Sequence, residues 1–494
     1  ERPGDYVDGA FRTAERADDE IVLRSPADQA DVSAVHPVAL PHVAQAVDAA
    51  RRAFPAWWRL GEDARRAHLR AYQAELRAHE EDIALAIARE VGKPLWEART
   101  EARALAGKVD LMLGEGAELT RDRAVEGAGE VRYRPHGVLA VLGPFNFPAH
   151  LPNGQIVPGL LHGNTVVFKP SDKAPSAATW MARCMDAAGV PPGVFNVVQG
   201  RVPTAQALAR HDEVDGILFT GSAAVGKALL AENADRPGRM VALELGGKNA
   251  SIVLDDADLE RAARQIAFAA YATAGQRCTA TSRVFATAGV LDALAARLAE
   301  AAGALRVGYP LDDGVFMGPL IDEGARSRLL AAQGRARAAG FDARVAGGAY
   351  DVPGRQGWYV RPAVHVAPSG DARVPGYSHD ELFGPDVALY PVADLDEAIT
   401  RTNGTAYGLA AAVFTASATA FEEASARLRV GILHHNRASA GASGRLPFGG
   451  VGDSGNHRPA GITAGTFCTW TQAVRPAPPA DEALPSWPGL FEAS

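Results

Sequence analysis

Of the three cysteines in the chain, Cys184, Cys278 and Cys468, one has neighbours suited to nucleophilic chemistry. Cys278 lies in Gly275-Gln276-Arg277-Cys278-Thr279, where the flanks are small or polar and a guanidinium adjoins the thiol. The thiolate is the nucleophilic form, and a nearby cation raises its fraction. The competing reading is an inert small hydrophobe, which is the commoner state of a free cysteine taken alone. Cys184 falls in an Ala-rich helical stretch and Cys468 beside Thr and Trp, so both read as structural. Glu244 ends an apolar run and is followed by Leu245-Gly246-Gly247-Lys248-Asn249. A buried carboxylate is costly unless paired or at work, and two glycines let a ligand or another segment approach closely. Asn146, in Gly143-Pro144-Phe145-Asn146-Phe147-Pro148, carries an amide that suits donation to an oxyanion or, equally, the capping of its loop.

Two further segments suit a nucleotide. Lys169-Pro170-Ser171-Asp172 follows a strand-like run, where a Lys and an Asp could hold ribose hydroxyls; a solvated Pro turn is the plainer reading. Gly221-Ser222-Ala223-Ala224-Val225-Gly226-Lys227-Ala228 comes within one residue of a phosphate-binding loop, but Ala228 stands where a Mg²⁺-holding Ser or Thr is required. An ATPase is therefore disfavoured. A strand feeding a Gly-Ser turn that opens a helix still offers free N–H groups and a helix dipole to a pyrophosphate, or is a plain connecting turn. The ordinary GxGxxG fingerprint is absent.

The elements that must position these residues form an alternating series. Val138–Leu142, Thr165–Phe168, Val194–Val198, Gly216–Thr220 and Met240–Leu243 read as strands, with helical segments over 174–188 and 203–210 between several of them. Strand–helix–strand repetition predicts a parallel sheet with right-handed crossovers. Such sheets bind ligands beyond the carboxyl ends of their strands, which is where Asn146, Lys169, Ser222 and Glu244 fall. A second α/β series, with strands at Ser251–Leu254, Val387–Val392 and Ala410–Phe414, predicts a second domain. Before both series, residues 41–58 and 64–92 read as amphipathic surface helices, the first burying Val43, Ala46, Val47, Ala50 and Phe54. The Pro-rich segment from Arg475 to Pro479 is expected to run extended.

A chain of 494 residues is too long for one ordinary core, in keeping with two domains or more. The 50 Lys and Arg against 58 Asp and Glu give a net charge of −8, the wrong sign for a nucleic-acid binder. No apolar run is long enough to span a bilayer, and Glu1-Arg2-Pro3-Gly4-Asp5 does not open as a signal peptide does. Few cysteines in an odd number fit a reducing compartment, so a cytoplasmic location is expected. No CxxC or HExxH occurs, and the adjacent pair His434-His435 is poorly spaced for one ion, so no metal is expected.

Taken together, residues 143–148, 169–172, 219–226, 244–249, 275–279, 381–385 and 447–455 resemble, in order and spacing, the motifs of the aldehyde dehydrogenase superfamily. The resemblance runs from about residue 20 to 475. It implies an α/β fold with a modified dinucleotide-binding domain (1–113 and 136–246), an α/β catalytic domain (247–453), and a small oligomerisation element with a tail (114–135 and 458–494). By that resemblance Cys278 is the nucleophile, Glu244 the base that activates water, and Asn146 the oxyanion donor. Lys169 and Asp172 match positions holding the adenosine ribose, and Gly221-Ser222 the pyrophosphate. Glu381 and Phe383, in Glu381-Leu382-Phe383-Gly384-Pro385, match those placing the nicotinamide ribose and ring. The implied cofactor is NAD, with NADP the alternative, and the implied assembly a homodimer or homotetramer acting on a small aldehyde.

Within that superfamily, Ala149-His150-Leu151-Pro152-Asn153-Gly154-Gln155-Ile156-Val157-Pro158, Gly455-Asn456-His457-Arg458-Pro459 and Leu484-Pro485…Pro488-Gly489-Leu490 resemble the succinylglutamate-semialdehyde dehydrogenase branch, which serves arginine degradation and uses NAD. Glu244-Leu-Gly-Gly-Lys-Asn249 and His434-His435-Asn436-Arg437 depart from it: the branch typically has Glu-Met-Gly-Gly-Asn-Asn and Asn-Trp-Asn-Lys there. Its substrate carries carboxylates far from the aldehyde, which Arg grips in bidentate fashion; Arg277, Arg437 and Arg445 are the candidates, with Arg277 open to pairing with an acid instead. The runner-up is a medium- or long-chain aliphatic aldehyde enzyme walled by Phe145, Phe147 and Phe448. A CoA-acylating dehydrogenase needs no Glu base and a non-catalytic relative no cysteine, so Glu244 and Cys278 speak against both.

Overall fold

The computed structural model describes residues 4–13, 19–368, 372–478, 480 and 487. The segment Leu484-Pro485…Pro488-Gly489-Leu490 lies outside the described residues, as does most of the tail.

Residues up to Glu244 build one seven-stranded sheet, in the order Met240–Glu244, Gly216–Thr220, Val138–Leu142, Thr165–Lys169, Phe195–Val197, Asp5–Val7, Ala10–Arg12. The first five are mutually parallel, and the two N-terminal strands add antiparallel. Val138–Leu142, Thr165–Lys169 and Gly216–Thr220 are buried on both faces, which is why they read as unbroken apolar runs rather than alternating ones. On one face Val138, Ala140 and Val167 pack with the helix Pro41–Arg59; on the other Leu139, Val141, Leu218 and Ala242 join a cluster with helices that include Glu62–Ala78, Glu80–Val91, Leu95–Leu111 and His150–Leu161. Chain order runs outward from Val138–Leu142 in one direction and then resumes with Gly216–Thr220 on its other side. That reversal opens a crevice between the carboxyl ends of these two strands.

Residues 249–435 form the second seven-stranded sheet: Asp342–Ala346, Ala363–Val366, Asp386–Val392, Thr281–Thr287, Asn249–Val253, Ala410–Phe414, Ile432–His435. All are parallel except the edge strand Asp342–Ala346. A smaller antiparallel sheet joins Arg123–Val125, Gly129–Pro135 and Thr469–Val474.

Two expectations are corrected. The stretch 64–92 is two helices, Glu62–Ala78 and Glu80–Val91, broken at His79, where three acidic residues start a new first turn. Both are amphipathic, as expected: Glu62, Asp63, Arg70, Arg77, Glu81, Asp82 and Arg89 are exposed, while Leu69, Tyr72, Leu76, Ile83 and Ile87 are buried beneath Pro175–Ala187 and Leu95–Leu111. In Pro41–Arg59 it is Trp57, not Phe54, that completes the buried face, its indole N–H donating to Leu160 O at 3.0 Å.

Candidate active site

Glu244 is the last residue of Met240–Glu244, and its placement depends on a segment from far along the chain. Asn456 accepts from Leu243 N (2.7 Å) and donates to Val241 O (3.0 Å), while Leu245 N donates to Ser454 O (3.0 Å). Gly455 sits between them at φ +127°, and a Cβ there would lie 2.1 Å from Leu243 O. The Gly455-Asn456 pair thus clamps the strand end. The Glu244 carboxyl is buried, and neither oxygen has a partner in hydrogen-bond geometry among the described residues. Burial, then the charge of Glu381, push its titration up to about 8, against a weaker opposing effect of the nearby Cys278 thiol.

Cys278 follows a tight turn, Ala272–Gly275, in which Thr273 and Ala274 both hold positive φ (+55° and +52°). Each such residue costs of order 1–3 kcal/mol, and Glu97 holds the turn by accepting from Thr273 N (3.1 Å) and from its hydroxyl. Gly275 (φ +70°) has no room for a Cβ against Gly384, 2.3 Å away. Asn249 fixes the far side, donating to Cys278 O (2.7 Å) and Ala280 O (2.9 Å). Asn146 is buried and donates to Gln276 O at 2.9 Å. One amide hydrogen is used there, so the second remains for an oxygen beside Cys278.

Arg277 favours the thiolate less than its position in sequence invites. It pairs with buried Glu97 at 2.5 Å and donates to Thr273 Oγ1 at 2.8 Å. Burial first, then Glu244 and Glu381, raise the Cys278 thiol well above its ordinary value, and Arg277 only offsets this in part. The thiol therefore reacts through a minor thiolate fraction.

On the other side of Cys278 lies the strand-end crevice. Lys169 is buried, donates to Pro170 O at 2.6 Å, and is pushed down to about 8 by burial, with Asp172 opposing. Ser222 is exposed and caps the helix Ala223–Glu232, and Gly221 N donates to Glu244 O at 3.0 Å. Glu381 accepts from Gly247 N at 2.9 Å, and a Cβ on Gly246 would lie 2.1 Å from its other oxygen. Phe383 holds φ +53° and stands edge-on to Phe145, with centroids 5.8 Å apart. An open helix N-terminus, a buried ammonium bonded to a carbonyl and glycines too tight for side chains form a cradle that fits a dinucleotide.

Opposite, Cys278 opens on a cavity of ≈ 240 Å³ lined by Phe147, Phe448, Arg277, Lys108 and His150 among others. Of the expected substrate residues, Phe448 and Arg277 line it. Arg437 is exposed and lies off its walls, and Arg445 is exposed, lines a neighbouring rim hollow and pairs with Glu115 at 2.7 Å. The residues missed come from one helix, Leu95–Leu111: Glu97, Glu101 and Lys108. Their spacings of four and seven residues put them on one helical face, a signal present in the sequence. Among the described residues no helix is long and apolar enough to cross a membrane.

The aldehyde dehydrogenase family model matches residues 12–474. An N-succinylglutamate 5-semialdehyde dehydrogenase from Sphingopyxis alaskensis is 42% identical over 86% of this chain and 88% of its own length. One from Chromobacterium violaceum is 39% identical over 95% of both. Among solved structures, an NAD-dependent aldehyde dehydrogenase from Sinorhizobium meliloti superposes with TM-score 0.91 at 31% identity, covering 97% of this chain and 96% of that one. An aldehyde dehydrogenase from Pseudomonas syringae, crystallised with NAD⁺ and octanal, does so with TM-score 0.90 at 30% identity over 97% and 98%. With the family model spanning residues 12–474 and relatives about 40% identical over most of its length, this chain belongs to the aldehyde dehydrogenase family.

Proposed function

We propose that the protein oxidises N-succinylglutamate 5-semialdehyde to N-succinylglutamate with NAD, a step of arginine degradation. The observation that carries the chemistry is Cys278 in the cavity wall with the buried Glu244 carboxyl beside its thiol and Asn146 bonded to the Gln276 carbonyl of the same loop. The Cys278 thiol releases its proton to solvent, and the thiolate adds to the aldehyde carbonyl. The resulting oxyanion accepts a hydrogen bond from the free amide N–H of Asn146. A nicotinamide bound in the crevice supplies the hydride acceptor, leaving a thioester on Cys278. Glu244, deprotonated, then takes a proton from water; the hydroxide adds to the thioester and the Cys278 thiolate leaves. Lys169, Asp172 and Ser222 hold the adenosine end, and Glu381 and Phe383 the nicotinamide end. Asp172 selects against a 2′-phosphate by charge repulsion, so NAD is preferred over NADP. The first sheet with its helices is the cofactor unit and the second the catalytic unit. The sheet of 123–135 and 469–474, carrying exposed Trp470, joins subunits into a dimer or tetramer. Free thiols at all three cysteines suit the cytoplasm.

The substrate rests on the names of the two relatives and on cationic Lys108 and Arg277 in the cavity wall. A second reading, a medium- or long-chain aliphatic aldehyde, is favoured by the Phe147 and Phe448 walls. NADH formation with N-succinylglutamate 5-semialdehyde against straight-chain aldehydes of rising length, with NAD and with NADP, decides. Highest kcat/KM for the acidic aldehyde with NAD supports the proposal; highest values for long neutral chains replace it with the second reading.

A further inference from the structure

The cavity beyond Cys278 contains a charge imbalance. Three cations border it: Lys93 beneath Phe147, and Arg277 and Lys108 in the wall. Two are matched, Lys93 by Glu101 at 2.6 Å and Arg277 by Glu97 at 2.5 Å. Glu101 is further occupied by the backbone N–H groups of Ala149 and His150, both at 3.1 Å. Lys108 is 6% exposed, and among the described residues its one hydrogen bond is to a carbonyl, Gly461 O at 2.7 Å. An ammonium has three donors, so two remain. A buried cation without a counter-charge is costly, and burial pushes this one down to about 8.

The position fits the far end of a ligand rather than the reacting carbon. Glu97, paired to the residue before Cys278, lies on the same helix about three turns inward, or ~16 Å. His150 lines the same cavity, with Nδ1 buried and lacking a hydrogen-bond partner among the described residues; burial lowers its titration to about 4, so it is a neutral imidazole. Gly154, one turn on, leaves room for the lysine stem: a Cβ there would stand 3.4 Å from Lys108 Cε.

We infer that Lys108, with His150 beside it, is the specificity-determining group that holds a carboxylate at the far end of the substrate. The inference rests on the acidic semialdehyde proposed above and assigns its recognition to a lysine in place of Arg437 and Arg445. The test compares wild type, Lys108→Met and Lys108→Arg by the ratio of kcat/KM for N-succinylglutamate 5-semialdehyde over a neutral straight-chain aldehyde. The ratio falls about 10- to 150-fold in Lys108→Met, the range of a charge-assisted hydrogen bond. The loss enters through KM, and Lys108→Arg restores part of it. A wild type that favours the acidic aldehyde, with Lys108→Met keeping that ratio within twofold, overturns the Lys108 assignment alone. A wild type without preference overturns the substrate and the assignment together. Independently of any variant, a crystal structure of the wild type with N-succinylglutamate places a carboxylate oxygen within about 3.2 Å of Lys108 Nζ; carboxylates directed elsewhere overturn the inference.

Discussion

Glu244 titrating near 8 makes the second half of the reaction pH-dependent in a way the structure quantifies. A carboxyl with that value is about 10% ionised at pH 7, about half at pH 8 and about 90% at pH 9. Only the ionised form accepts a proton from water, so hydrolysis of the acyl-enzyme rises about tenfold from pH 7 to 9 and then levels. Rapid-quench measurement of acid release after one equivalent of aldehyde isolates this step. Glu244→Gln forms NADH once per site and then stalls at every pH. Removing the neighbouring charge by Glu381→Gln moves the break to lower pH, because that charge is the second largest cause of the raised value. The same shift sets a stability trend. The contribution of Glu244 is fully present below about pH 4.5 and is lost as pH rises toward about 8, because the native state holds the proton more tightly than the unfolded chain. Hydrolysis already level between pH 6 and 9, or Glu244→Gln turning over at the wild-type rate, refutes the assignment of Glu244 as base.

Arg277→Met leaves Glu97 buried and unpaired, so denaturant unfolding shows a loss of about 3–5 kcal/mol; unchanged stability would mean the pair does not hold the nucleophile turn. Asn456→Ala removes both hydrogen bonds that clamp the Glu244 strand end. It destabilises by about 1–3 kcal/mol and slows acyl-enzyme hydrolysis more than the NADH burst, as read by stopped flow. Asp172→Ala raises kcat/KM with NADP about tenfold relative to NAD. Two charges 4 Å apart repel by roughly 4 kcal/mol at an effective dielectric near 20, and the half-exposed site screens much of that.

The strands that carry the chemistry were legible because a parallel strand buried on both faces is a short unbroken apolar run. Val138–Leu142, Gly216–Thr220 and Met240–Glu244 are such runs, and the residue types at their ends pointed to Asn146, Ser222 and Glu244. Thr281–Thr287, at the middle of the second sheet, went unread because Arg283 interrupts it. That guanidinium is buried and bonded to the carbonyls of Lys248, Arg401 and Thr402, a long-range arrangement no local pattern displays. Arg277 beside Cys278 suggested thiol activation, but its partner Glu97 is 180 residues away in sequence. The clamp by Gly455-Asn456 was visible only as a motif, since its meaning depends on contact with Leu243.

The central claim is a covalent acyl intermediate on one sulfur, and intact-protein mass spectrometry of Glu244→Gln tests it most directly. Mixed with N-succinylglutamate 5-semialdehyde and NAD, the variant gains the mass of one acyl group, localised by peptide mapping to Cys278 and absent from the Cys278→Ala, Glu244→Gln double variant. No adduct despite a full NADH burst, or an adduct on Cys184 or Cys468, contradicts the account.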